Sequence, residues 1–388
     1  MILFAPLSKE TRRLMDGIPA LINKTFPLPD RFRSALPGDV AELSRLLTSG
    51  RGERGFSYLG QPPLLSAYLR YFLPWNLYRL CRLLPGLDIT LAENDRVTDL
   101  GCGPLTLTAA LWICRPDLRS IPLKFYCIDR SGPVLEAGRK FFAALAGENG
   151  PWKIHTVKGD IAGHRTRSPL FDTAVEKPSA LVCAVNVLNE MYGDVSRSGG
   201  ETLRRNAEKS VRMLESYASS AASFLVAEPG FPRCGEFISL IRGVFLEHGR
   251  HIASPCPHET VCTFAGGQNK KGKKRWCHFA FETTDAPPAL HKLSAAAGFP
   301  KERAVLSFLS AGPEEARKPE TTVRVISDPF PLPHNRYGRY SCSGQGLVLL
   351  AGEKSAVEKT PSGTLVNVII KKDKTDPKSG AFIAEFQV

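Results

Sequence analysis

Residues 97–104 read Val-Thr-Asp-Leu-Gly-Cys-Gly-Pro, and this stretch decides the fold. Its first half is a run of strand length, and the residues that follow it, 105–114, are compatible with a helix. Glycines between a strand and a helix let the backbone approach a ligand closely, and the first turn of the helix presents unpaired N–H groups to it. The stretch therefore predicts a ligand-binding loop in an α/β domain.

Short apolar runs alternate with helix-compatible stretches from Arg96 onward. This alternation predicts βαβ units, in which helices cover both faces of a parallel sheet. One more helix and two further strands, 304–309 and 322–326, are expected near the end of the domain. Five parallel strands followed by a helix and a closing hairpin resemble the seven-stranded, Rossmann-like sheet of S-adenosylmethionine methyltransferases. The five runs are 97–100, 125–128, 154–157, 180–187 and 223–227.

Two of these strands end in an aspartate. Asp129 ends the second strand, where a carboxylate can bind both ribose hydroxyls, and Asp160 ends the third, at the height expected for an adenine amine. With Asp99, Gly101 and Gly103 they make up the predicted S-adenosylmethionine site. A dinucleotide site is excluded, because its fingerprint needs a third glycine and none stands in the three residues after Gly103.

The end of the fourth strand is the position that normally faces the methyl acceptor. Asn186, Asn189 and Glu190 are candidate substrate contacts there. The Asn/Asp-Pro-Pro-aromatic signature of amino-group methylation is absent, and so is the Pro-Cys pair of cytosine C5 methylation. The sequence therefore offers candidate substrate contacts and identifies no catalytic base.

Three cysteines lie close together in the segment from about 250 to 280, and a fourth follows later. Cys256, Cys262 and Cys277 are the three, and Cys342 is the best candidate for a fourth ligand. Thiolates at this density in a reducing compartment favour zinc or an iron–sulfur cluster over disulfides. Either of two nearby histidines could replace Cys342 in a zinc site.

The formal net charge of +13 favours an acidic partner, most often nucleic acid. A membrane partner is not expected, because the most apolar stretch, 62–87, is interrupted by arginines and a proline. Basic residues concentrate in an N-terminal turn and in the loop before the third cysteine. The predicted RNA contacts are Arg51, Arg54, Lys270, Lys271, Lys273, Lys274 and Arg275.

Several motifs together resemble the Rsm22 family, whose members are methyltransferase-like proteins of the small ribosomal subunit. The most specific are Ser-Pro-Cys-Pro-His at 254–258 and Trp-Cys-His-Phe at 276–279. The loop at 99–106, Val-Leu-Asn-Glu at 187–190 and Tyr-x-Cys at 340–342 also fit.

The resemblance implies a role in small-subunit assembly, with small-subunit rRNA as the partner and neither DNA nor a membrane. It also implies a [4Fe-4S] cluster on Cys256, Cys262, Cys277 and Cys342. We expect a cytoplasmic protein, or a mitochondrial matrix protein if the source is a eukaryote.

The chain is expected to have three parts. A helical region covers 1–94 and a methyltransferase-like domain covers 95–330, with a cysteine-rich insertion at about 250–280. The remaining residues, 331–388, contain Cys342 and a small β module.

Two alternatives stay open. One is an RNA-binding assembly factor that does not methylate and keeps a remnant cofactor site. The missing acceptor motif favours it, and so does Leu105, which stands where methyltransferase loops often have a glycine. The other is a small-molecule methyltransferase with a structural zinc site, for which no salt-dependent RNA affinity is expected.

Overall fold

The computed structural model describes residues 2–48, 58–148, 150–161, 178–191, 200–265, 275–315 and 319–386. These residues form a large sheet packed between helices and a separate small barrel. Within them, no helix is both long and apolar enough to cross a membrane.

The N-terminal region is helical, as predicted. Its α-helices are α1 (Lys9–Thr25), α2 (Asp30–Arg33), α3 (Leu36–Leu47), α4 (Pro62–Ala67) and α5 (Leu73–Leu83). Between α4 and α5 the chain continues as a π-helical turn at Tyr68–Phe72, just before Pro74, which cannot donate a backbone hydrogen bond. Apolar side chains of this region belong to the same core as one face of the large sheet.

The large sheet follows the α/β pattern expected of a methyltransferase-like domain. Its strands are β1 (Arg96–Leu100), β2 (Lys124–Asp129), β3 (Lys153–Lys158), β4 (Ser179–Val185), β5 (Ala218–Pro229), β6 (His251–Ser254), β7 (Phe279–Glu282) and β8 (Arg303–Gly312). They are ordered β3-β2-β1-β4-β5-β8-β6, and β7 also pairs with β8. Strands β1 to β5 are parallel, whereas β8 runs antiparallel to β5.

Helices cover both faces of this sheet. Those that follow its strands are α6 (Thr106–Cys114), α7 (Gly132–Ala146), α8 (Leu188–Met191), α9 (Gly200–Glu215), α10 (Pro232–Glu247) and α11 (Pro288–Ala296). One face packs against α6, α7 and the N-terminal helices, and the other packs against α9 and α10.

The sheet has eight strands in the described residues, not the predicted seven. The edge beyond β8 is formed by two short strands, β6 and β7, which together take the place of a single sixth strand. β6 pairs with residues 310–312 of β8, and β7 pairs with residues 303–306 of the same strand. Residues 255–278, which include three of the four predicted cysteine ligands, connect the two halves. The predicted strand at 322–326 lies outside this sheet.

That strand, β9 (Thr322–Val325), belongs to the small barrel. The other barrel elements are β10 (Phe330–Leu332), β11 (Arg336–Ser343), β12 (Gly346–Gly352), α12 (Lys354–Glu358), β13 (Leu365–Thr375) and β14 (Phe382–Phe386). The order is β10-β11-β12-β14-β13-β9, and β9 also pairs with β11, which closes the ring. The predicted β module therefore exists, but it begins earlier in the chain than expected.

Candidate functional site

The loop between β1 and α6 is built on three residues with left-handed backbone geometry. Gly101 and Gly103 have φ values of +65° and +54°, and Leu105 has 58°. A β-carbon on Gly101 would lie 2.2 Å from Cγ2 of Val187, so a larger residue has no room there. Leu105 adopts the same backbone region with a fully buried side chain, so the loop turns into α6 without a glycine at this position.

Asp129 holds this loop from the neighbouring strand. Its Oδ2 accepts a hydrogen bond from Gly103 N at 3.0 Å, and its Oδ1 accepts one from Ser131 N at 2.8 Å. Burial raises the pKa of the Asp129 carboxyl, and the two backbone donors act against that rise. The carboxylate thus orders the loop while it faces a cavity.

This cavity lies at the carboxyl ends of the central parallel strands and, with the solvent at its mouth, has a volume of about 910 Å³. The predicted residues that line it are Gly101, Gly103, Asp129, Asp160, Asn186 and Glu190. Asp99 and Asn189 are not among its lining residues. Asp99 is buried below the loop, where burial and the nearby Asp129 raise the pKa of its carboxyl well above the ordinary value.

The N-terminal helices supply a wall of the cavity that was not anticipated from the sequence. Leu59, Tyr68 and Asn76 line it. The guanidinium of Arg79 donates a hydrogen bond to Asn76 Oδ1. Burial raises the pKa of the Tyr68 hydroxyl, and the carboxylates of Glu190 and Asp129 raise it further, so this hydroxyl stays protonated. The sequence signal for this wall is the presence of polar side chains in an otherwise apolar helical stretch, because buried polar residues are uncommon.

Glu228, at the end of β5, was also not predicted as a site residue. Its side chain is 1% exposed, and Oε1 accepts a hydrogen bond from Leu188 N at 2.9 Å. It thereby holds the first turn of α8, the helix that carries Glu190. Burial raises the pKa of Glu228 to about 8, and the charge of Glu190 adds to the rise.

Glu228→Gln is expected to remove part of the pH dependence of stability. The folded protein keeps this carboxyl protonated up to about pH 8, whereas the unfolded chain loses the proton near 4.5. The folded state therefore binds more protons between these values, and the free energy of unfolding falls as pH rises through them. Melting temperatures measured across this range should fall less steeply in the variant. Equal slopes in both proteins would contradict a neutral buried Glu228.

The four predicted cysteine ligands meet in one region where β11 of the barrel approaches the residues after β6. Cys342 is buried, and Cys256, Cys262 and Cys277 are half-buried. Burial raises the pKa of the Cys277 thiol well above its ordinary value, and the three other thiols raise it further. Burial, followed by the charge of Cys256, raises the pKa of Cys342 to about 12. The four sulfurs are therefore close enough to interact electrostatically.

Two buried arginines flank these thiols. Arg242 of α10 is 3% exposed, and its Nε donates to Cys256 Sγ at 3.2 Å. Its Nη2 donates to two carbonyls of the turn 258–260, at 2.8 and 2.9 Å. Arg324 of β9 is 1% exposed and donates from Nε to Pro255 O at 2.8 Å. Burial lowers the pKa of Arg324 to about 10, and the neighbouring thiols act against that fall.

No compact site for a single metal ion exists in the described part of the chain. Nowhere in it do three histidine, cysteine, aspartate or glutamate side chains converge closely enough to bind one ion. The Nε2 atom of His258 lies 3.3 Å from Cys342 Sγ, within hydrogen-bond distance of this sulfur. Thr263 Oγ1 lies at the same distance, 3.3 Å, from that sulfur.

Most of the predicted RNA contacts lie outside the described residues. These are Arg51, Arg54, Lys270, Lys271, Lys273 and Lys274. Arg275 is described and half-buried, and its Nη2 donates to Ser379 O at 3.3 Å. This bond links the end of the lysine-rich segment to the loop between β13 and β14.

A family model described as mitochondrial small ribosomal subunit Rsm22 matches residues 99–332. The match covers the loop between β1 and α6, the two short strands β6 and β7, and the first strand of the barrel, β9. None of the curated proteins matches this chain.

Solved methyltransferases resemble the chain only remotely. The precorrin-6y C5,15-methyltransferase of Geobacter metallireducens GS-15 is 11% identical, with 62% of this chain and 86% of that chain covered and a TM-score of 0.32. The magnesium protoporphyrin IX methyltransferase of Synechocystis PCC 6803, with bound SAH, is 11% identical, with 71% and 99% covered and a TM-score of 0.35. Similarity this low identifies no substrate for the present chain.

Proposed function

The chain belongs to the Rsm22 family, and on that basis we propose that it is an S-adenosylmethionine-dependent methyltransferase-like protein acting on small-subunit rRNA during ribosome assembly. The observation that carries the proposal is the strand-end cavity, where a loop that requires Gly101 faces Asp129, Asp160 and Glu190. The family description names the mitochondrial small ribosomal subunit, which supports a matrix location if the source is a eukaryote. For any other source the proposed location is the cytoplasm.

The residues around the cavity suit S-adenosylmethionine. Gly101 and Gly103 would let the cofactor approach the loop backbone closely, while Asp129 would bind its ribose hydroxyls and Asp160 its adenine amine. The carboxylates on the cavity wall would also offset the positive charge of the sulfonium. When bound, the cofactor supplies an electrophilic methyl group.

The acceptor would enter between the fourth strand end and the N-terminal helices. Asn186 and Glu190 line the cavity from the end of the fourth strand, and Tyr68 and Asn76 line it from the N-terminal helices. Because Tyr68 stays protonated, it would donate a hydrogen bond to the acceptor base or to the cofactor. Asn189 does not line the cavity. As a residue of α8, it would help to position this helix, which carries Glu190.

Titration with S-adenosylmethionine tests the cofactor site. We expect calorimetric binding by the wild-type protein and affinity weaker by about tenfold or more in Asp129→Asn, because a hydrogen bond to a charged group contributes roughly 1.5–3 kcal/mol. Glu136→Gln is a matched control, since Glu136 is an exposed carboxylate of α7 that pairs with Arg139. Absence of heat and of a thermal shift with wild-type protein would refute the methyltransferase proposal.

We also propose a structural [4Fe-4S] cluster on Cys256, Cys262, Cys277 and Cys342, with zinc as the alternative. A cluster bound by four thiolates is anionic, and the buried guanidinium groups that flank the thiols would offset its charge. The proposal rests on the family resemblance and on the grouping of the four thiols, since the other three add to the rise that burial causes in the pKa of Cys277.

A non-catalytic assembly factor is the second candidate function. The absence of an acceptor signature at the end of β4 favours it. Leu105 does not favour it, since the loop keeps its left-handed turn at this position. This candidate predicts salt-dependent RNA binding that S-adenosylmethionine leaves unchanged.

A further inference from the structure

The small barrel has the connectivity of an OB-fold. With β9, β11, β12, β13 and β14 counted as strands one to five, the closed order is 1-2-3-5-4-1. Strands three and five are parallel, the other pairs of the ring are antiparallel, and α12 lies between strands three and four. OB-folds bind oligonucleotides or oligosaccharides on the face of strands two and three and on the adjoining loops.

The outer side of strands two and three carries a small apolar platform. Tyr340 pairs with Leu349 across β11 and β12, and both face away from the barrel core, which contains Val348 and Leu350. Leu349 is buried, at 4% exposed, so the accessible part of the platform is the half-buried ring of Tyr340 and its aromatic neighbour. The ring of Phe330, on β10, lies 5.0 Å from that of Tyr340, and both rings are half-buried. Half-exposed aromatic rings on a sheet can stack with unpaired bases.

Cationic side chains stand on β11 and β13 of the same barrel and on the loop after β13. Arg336 and Lys371 both pair with Glu385, at 3.5 and 2.8 Å, so two cations share one carboxylate. Lys374 and Lys378 are exposed on β13 and the loop after it.

Two acidic residues lie near these lysines. Asp373 is exposed, but the Asp376 carboxylate accepts hydrogen bonds from Ser379 N, at 2.9 Å, and from its hydroxyl. Four cationic side chains (Arg336, Lys371, Lys374 and Lys378) therefore stand against three carboxylates (Glu385, Asp373 and Asp376). This small positive excess favours a polyanion over a neutral oligosaccharide.

A second basic segment reaches the same loop from the large domain. Arg275 ends the lysine-rich stretch that follows Cys262, and its guanidinium contacts Ser379, in the loop between strands four and five. This loop is one of those through which OB-folds hold their ligands. Arg275 and Lys378, far apart in sequence, therefore meet at the loop between strands four and five.

We propose that the outer face of this barrel is a distinct RNA site that holds a single-stranded segment through stacking on Tyr340 and Phe330 and phosphate contacts to Lys374 and Lys378. The choice of RNA rests on the proposed function. Single strands are specified because bases must be unstacked from one another before they can stack on a protein ring.

Fluorescence anisotropy with full-length protein tests this site, with a labelled single-stranded RNA of about 12 nucleotides and its duplex as probes. The single strand should bind more tightly than the duplex. Tyr340→Ala should weaken single-strand binding roughly tenfold, whereas Tyr340→Phe should keep it.

Lys374→Ala with Lys378→Ala, on exposed positions where misfolding is not expected, should reduce the salt slope by roughly 1.4. Lys140→Ala with Lys209→Ala, two exposed lysines of the large domain, is the matched control.

The outcomes separate this site from the proposed function. If the protein binds RNA but prefers neither probe, or if the Tyr340 and lysine variants bind like wild type, the barrel site is wrong and RNA binding by the protein stands. If the wild-type protein binds neither probe, both proposals fail. Cofactor titration of the same variants should be unchanged, because none of them lies at the strand-end cavity.

Discussion

Gly101→Ala is expected to abolish measurable S-adenosylmethionine binding. The backbone at Gly101 has φ of +65°, which costs a residue with a β-carbon about 1–2 kcal/mol. The added carbon would also lie 2.2 Å from Val187 Cγ2, so the loop or the turn after β4 has to move. Either movement displaces the loop backbone and the side chains that line the strand-end cavity. Isothermal calorimetry should show a loss of affinity of about a hundredfold or more, a shift within the range for misplaced site groups.

Gly103→Ala is the control that separates strain from collision. Its φ of +54° is similarly unfavourable, but the nearest atom to an added β-carbon is Tyr68 Oη at 3.7 Å, an ordinary contact. We therefore expect a smaller loss of affinity in this variant. If Gly101→Ala binds the cofactor as tightly as Gly103→Ala, contact between the loop and Val187 is not what shapes the site.

Cys342→Ser is expected to have the largest effect on stability. Cys342 is the cysteine of the barrel, while its three partners belong to the large domain, so a cluster on all four would bridge the two parts. Loss of a structural metal site is among the few single-residue changes that cost roughly 4 kcal/mol or more. Anaerobically purified wild-type protein should contain iron and sulfide, and the variant should lose both and melt at a lower temperature. Cys114→Ser, a buried thiol outside the group, should retain the metal.

The metal analysis also distinguishes the candidate metals. Iron with an equal amount of sulfide supports the cluster, and zinc without sulfide supports the alternative site. If the wild-type protein contains no metal and melts at the same temperature as Cys342→Ser, the four cysteines are ordinary thiols and the metal proposal is wrong.

Sequence patterns predicted the parallel strands, because most of them are short apolar runs that alternate with helix-compatible stretches. They failed at the sixth strand. β6 and β7 have only four residues each, and they form one edge only through pairing with β8, which follows later in the chain. The strand at 322–326 was found but assigned to the wrong sheet, because its length says nothing about which partner it pairs with.

The candidate site divides in a similar way. Gly101, Asp129 and Asp160 follow the carboxyl ends of parallel strands, and the topology of a parallel sheet brings such ends to one edge, so the sequence alone is enough to group them. Tyr68 and Asn76 come from a helical region that packs over the cavity, and no local pattern places that region there. Tertiary packing, which propensity does not encode, decides this second group.

The position of β8 in the chain also matters while the protein is being made. Strand β5 has no neighbour on its outer side until residues 303–312 have left the ribosome, and neither half of the sixth strand can pair before then. A nascent chain halted in this interval exposes an unpaired edge formed by a long and largely apolar strand. Such an edge is a template for aggregation, so chaperone contact during synthesis would be most useful over this stretch.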